Sequence, residues 1–140
     1  MYIDSLLLMA DTVTTTTSGA STDYIDSKVI SIKDDDANEQ LWWVVKTEAT
    51  AYAGGAACTA EFQLQTSEDA SFLDSTTITL ASSGAILTAN LTANKMVTKT
   101  RIPVGLKRYT RTYMVVAGTG VFTSCSWSAF LAKDVNLLLP

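Results

Sequence analysis

From Ala57 to Thr66 the chain alternates without a break: Cys58, Ala60, Phe62 and Leu64 share one parity, and Thr59, Glu61, Gln63 and Gln65 share the other. A helix would scatter these residues around its circumference, whereas an extended strand puts each set on its own side. The segment therefore reads as a half-buried strand, apolar inward and polar outward. Val121 to Leu131 repeats the pattern, with Val121, Cys125, Trp127, Ala129 and Leu131 assigned to one face and Ser124, Ser126 and Ser128 to the other.

Further strands are expected at Lys28–Ile32, Leu41–Glu48, Thr76–Leu80, Ala85–Leu87, Lys95–Ile102 and Tyr109–Val116, each rich in β-branched or aromatic residues. Turn chemistry separates them at Gly54-Gly55, Ser67-Glu68-Asp69, Ser82-Ser83-Gly84, Pro103-Val104-Gly105 and Gly118-Thr119-Gly120. Thr12–Thr17, ahead of Ser18-Gly19, reads as an edge strand or a loop. No stretch has sustained helical spacing. About eight short strands without helices predict an all-β sandwich of jelly-roll or barrel kind, with little or no helix. Hydrophobic residues form 47% of the 140 and charged residues 17%, enough apolar surface for one core and unlike a disordered chain. Residues 1–140 are read as one domain, whose apolar ends, about 1–11 and 135–140, are either outer strands of the fold or intersubunit contacts. Leu6-Leu7-Leu8-Met9 is too short for a membrane span and follows Asp4 where a leader would carry bases.

The net charge of −4 conceals an uneven distribution. Residues 1–74 hold thirteen acids and three bases, and residues 75–140 hold one acid and seven bases. Lys95, Lys99 and Arg101 share a parity, so a regular strand would project them from one face, and Lys107, Arg108 and Arg111 extend the candidate patch. Their counter-charges must lie far along the chain, on another subunit, or in solvent. Nucleic acid is disfavoured as the partner by an isoelectric point near 4.6. An acidic protein surface and the chain's own acidic half remain.

There is no histidine, which removes Ser-His-Asp and Cys-His catalysis and the common zinc sites. Asp34-Asp35-Asp36-Ala37-Asn38-Glu39 starts like a calcium loop but has Glu39 where glycine is needed and Val45 where the twelfth-position glutamate belongs. Glu48 and Glu61 are the only carboxylate pair that suggests a two-acid hydrolase, and two solvated strand residues explain them better. No cofactor or metal ligand set is expected. Cys58 and Cys125 read as buried free thiols, a disulfide between them being the alternative. Adjacent Trp42 and Trp43 must point to opposite sides of a strand, one into the core and the other to an interface or a partner sheet.

Several segments together resemble the Bbp16-type phage capsid cement proteins: Met1-Tyr2-Ile3-Asp4-Ser5-Leu6-Leu7-Leu8, Tyr24-Ile25-Asp26, Glu61 through Asp69, Gly105 through Arg111, and Ser126-Trp127-Ser128-Ala129-Phe130-Leu131. None is a catalytic motif; the likeness lies in their number and order. The resemblance implies a single-domain jelly-roll β-sandwich, a non-enzymatic decoration protein on the outer surface of a tailed-phage head, made in the host cytoplasm and carried in the virion. Its implied partners are a major capsid protein of the HK97-like type and further copies of itself, as a dimer or else a trimer, with no nucleic acid or membrane. Contacts are expected at Lys95, Lys99, Arg101, Lys107, Arg108 and Arg111, and at Tyr2, Ile3 and Leu6, whose segment is suited to adding a strand to a neighbour's sheet. The reading from another class is a carbohydrate- or receptor-binding β-sandwich of a phage tail or cell surface, with Trp42 or Trp43 and exposed tyrosines as stacking platforms.

Overall fold

A computed structural model describes residues 7–27, 41–54 and 57–133. Its strands are β1 (Leu8–Thr15), β2 (Gly19–Ala20), β3 (Ile25–Asp26), β4 (Leu41–Thr47), β5 (Tyr52–Gly54), β6 (Cys58–Ser67), β7 (Ile78–Ser82), β8 (Ile86–Leu87), β9 (Met96–Arg101), β10 (Tyr109–Gly118) and β11 (Val121–Lys133). A 3-10 turn lies at Thr88–Asn90. The expected strand at Lys28–Ile32 and the acidic run Asp34–Glu39 lie outside the described residues.

All pairings are antiparallel and form two sheets. The first has the order β1-β11-β4-β9, with β5 added to the start of β11; the second has the order β2-β10-β6-β7, with β3 continuing beside β10 and β8 beside β6. Treating β2 with β3 and β7 with β8 as interrupted strands leaves two four-stranded layers. Setting aside β5, which stays with β4 in the first sheet, the chain crosses between them at every step except from β6 to β7, which is the jelly-roll path. The expected fold class is thus the observed one, a β-sandwich with almost no helix.

The core lies between the layers. Met9, Trp43, Val45, Cys125, Trp127, Ala129 and Leu131 of the first sheet meet Ile25, Ala60, Phe62, Leu64 and Met114 of the second. Phe62 and Trp127 pack edge to face with centroids 5.3 Å apart. Both buried indoles donate their N–H, Trp43 to the Thr112 hydroxyl at 2.9 Å and Trp127 to the Thr15 hydroxyl at 3.0 Å. No buried side-chain polar atom among the described residues lacks a partner. Trp43 is the core indole and Trp42 the outer, half-buried one. Cys58 and Cys125 are buried and free, as read. Residues 8–11 of the apolar N-terminal segment open β1, with Met9 and Ala10 in the core.

Two phase assignments are corrected by β-bulges, each of which adds a residue to one strand and reverses the side on which later residues fall. The register of β11 against β5 shifts between Phe122 and Ser124, so Phe122 packs against the core, and Val121, expected inside, is 71% exposed. In β9 the register shifts opposite Val45 and Lys46. Met96, Lys99 and Arg101 consequently point outward with Lys46, Val44 and Trp42, and Lys95 leaves the parity it shares with Lys99 in the sequence.

Candidate docking surface

The six basic residues are distributed over both sheets. Lys99 and Arg101 stand on the outer face of the first, opposite Val44 and Trp42, with the Lys99 ammonium 5.6 Å from the Trp42 ring centroid. Lys95 precedes β9 and spends its ammonium on the Asn90 carbonyl at 2.6 Å. Lys107, Arg108 and Arg111 belong to the second sheet and its entry loop. The single positive patch suggested by the sequence therefore does not form, because the outer faces of the two sheets point in opposite directions. Tyr2, Ile3 and Leu6 lie outside the described residues.

The topology also undoes the segregation of charge along the chain. Each layer combines strands from the acidic half with strands from the basic half, since β1 and β4 flank β11, and β3 and β6 flank β10. One consequence is the Arg108–Asp26 fork, in which Nε and Nη2 reach the two carboxylate oxygens at 3.0 and 2.9 Å from 82 positions away. Glu48 and Glu61 are placed on different sheets, with Glu48 paired to Lys46 at 3.2 Å, so they do not form a two-carboxylate site.

The most organised surface is the outer face of the second sheet. Alternation in β6 sends Glu61, Gln63 and Gln65 outward, and the antiparallel register sets Gln65 against Arg111 and Gln63 against Tyr113. Cross-strand and same-face neighbours in a sheet are close enough for long polar side chains to meet. They form a one-way chain: Arg111 Nε donates to Gln65 Oε1 at 3.0 Å, Gln65 Nε2 to Gln63 Oε1 at 3.2 Å, and Gln63 Nε2 to Glu61 Oε1 at 3.0 Å. The Ser82 hydroxyl of the neighbouring β7 closes on the same Glu61 oxygen at 2.7 Å. Hydrogen bonds from Ser82 and then Gln63 hold the Glu61 carboxyl below the usual glutamate range.

An aromatic row runs beside this chain. The Arg111 guanidinium lies 4.2 Å from the Phe72 ring centroid and 5.2 Å from that of Tyr113, and Arg108 lies 4.6 Å from that of Tyr109. Tyr24 joins the two groups, meeting Tyr109 edge to face at 5.3 Å and Phe72 at 6.3 Å. Sequence reading singled out the two arginines but not Tyr24, Phe72, Tyr109 and Tyr113. Tyr109 and Tyr113 share the parity of Arg111 in β10 and so lie on its face, whereas Phe72 stands in a loop at a positive φ of 50°. Its only sequence signal is the apolar pair Phe72-Leu73 within a polar turn.

The outer face of the first sheet differs: Val44 and Phe130 are buried there, packed with Leu8, Trp42 and Ala132. No cluster of metal-ligating side chains occurs among the described residues. No described helix is long and apolar enough to cross a membrane. No curated protein matches the chain. A family model described as Bbp16 matches residues 9–131.

Proposed function

The chain belongs to the Bbp16 family, and from that premise we propose that it is a structural capsid cement, a non-enzymatic decoration protein that binds the outer surface of a tailed-phage head. It stabilises contacts between major-capsid subunits of the HK97-like type and acts as a homo-oligomer, a dimer in the first instance, without nucleic acid or membrane. It is made in the host cytoplasm and ends in the virion.

The observation that carries this reading is the outer face of the second sheet, where Glu61, Gln63, Gln65, Arg111, Phe72 and Tyr113 are held by one another. Binding normally costs about 0.5–1.5 kcal/mol for each long side chain that is immobilised. A surface already ordered avoids much of that cost, and tyrosine and arginine are the types enriched where proteins dock. A rigid sandwich touching several capsid subunits converts modest contacts into strong ones, because after the first contact the others are intramolecular.

The test is co-sedimentation of the purified protein with matured, cement-stripped heads over a salt series. Saturation at a fixed ratio to capsid protein supports cementing, and absence of binding removes it. The exposed tyrosines, Tyr24 and Tyr52, favour the carbohydrate-binding alternative. A saturable change in fluorescence with surface polysaccharide, in a protein that ignores heads, would establish that reading instead.

A further inference from the structure

We infer that Arg111 is the anchor of the docking surface and that its guanidinium receives a carboxylate of the capsid protein, an inference that rests on the cement reading. Arg111 and Arg108 are three positions apart yet differently committed. The fork of Arg108 is filled by Asp26 within the chain. Arg111 uses only Nε, on Gln65, and no acceptor among the described residues meets its two terminal amino groups.

The side chain is nevertheless fixed. The Phe72 and Tyr113 ring centroids lie 4.2 and 5.2 Å from its Cζ, and Gln65 accepts from its Nε at 3.0 Å. This leaves a planar, pre-aimed pair of N–H donors, the geometry that takes a carboxylate in bidentate fashion. Burial works against the charge on Arg111, and Tyr113 and then Asp74 offset it only in part, neither through an ion pair. A cation partly removed from water without a contacting counter-ion is costly in the isolated protein, and an incoming carboxylate recovers that cost. A nucleic-acid backbone fits less well, because Glu61 stands on the same face, Asp74 is nearby, and the chain carries a net charge of −4.

The experiment compares wild type, Arg111→Gln and Arg111→Lys for binding to cement-stripped heads. A second set of heads has its surface carboxylates amidated with ethanolamine through a carbodiimide. Matched thermal unfolding of the three proteins controls for folding, and the lysine variant decides if the glutamine variant is unfolded. Glutamine is expected to weaken binding about tenfold or more, as for an interface hot spot. Lysine, a point charge without the fork, is expected to bind less tightly than wild type, and amidated heads to bind wild type as poorly as untreated heads bind the glutamine variant. Equal binding by wild type and folded variants, or indifference to amidation, overturns the anchor and leaves cementing intact. Failure of wild type to bind untreated heads overturns both.

Discussion

The Trp43 indole, rooted in one sheet, donates its N–H to the Thr112 hydroxyl of the other at 2.9 Å, and the same hydroxyl faces the Met9 sulfur at 3.7 Å. This is a directional contact across a core held mainly by non-directional burial. Thr112→Val keeps the shape and removes the acceptor, leaving a buried N–H unsatisfied. The expected loss is about 1–3 kcal/mol, read as a lower urea midpoint at unchanged slope.

Gly118 and Gly84 both have a positive φ, of 109° and 71°, but in different surroundings. A Cβ on Gly118 would be driven into the Ala57 carbonyl, whereas one on Gly84 would meet nothing within 4 Å. Gly84→Ala is expected to cost about 1 kcal/mol from backbone strain alone, and Gly118→Ala about 3 kcal/mol or more. Equal midpoints for the two variants in urea would contradict the close approach between β6 and the end of β10.

The Glu61 carboxyl is held below its ordinary value of 4.5 by Ser82 and Gln63. Between the lowered folded value and the unfolded one, the unfolded chain binds more protons, so stability rises with pH across that window and is lost as pH falls through it. The Ser82→Ala variant is expected to be less stable than wild type near neutral pH. The difference should shrink as urea midpoints are followed from about pH 5 down to about pH 3.

Both thiols are expected to resist Ellman's reagent in the native protein and to react only on unfolding. Cys58 and Cys125 are buried, and burial pushes the Cys125 thiol up to about 11, which suppresses the reactive thiolate. Rapid native labelling of either would show that the sandwich opens at that strand.

The legible part of this structure is whatever depends on unbroken alternation. Cys58, Ala60, Phe62 and Leu64 fall inside as their parity requires, and the ends of β4, β9 and β10 lie within two residues of the expected segments. Parity fails where a bulge intervenes, because one extra residue reverses every later assignment. Val121 and Lys95 are the two casualties, and nothing in the local composition marks either bulge. The candidate surface was half legible. Arg108 and Arg111 stood out by charge, but their partners came from Asp26, Gln65 and Phe72, brought close only by the strand order. The charge segregation left pairing with the chain's own acidic half among its readings, and the Arg108–Asp26 fork is such a pair, since a jelly roll interleaves its two halves.

That interleaving dictates when the molecule can exist during synthesis. The last two described strands, β10 and β11, occupy interior positions of their sheets, and β1 and β4 have no common neighbour until β11 is made. A ribosome that has delivered the chain only to Gly105 has exposed unpaired edges in both layers and has supplied neither Arg111 nor Tyr113. Completion of the sandwich and appearance of the outer face around Arg111 are therefore one late event.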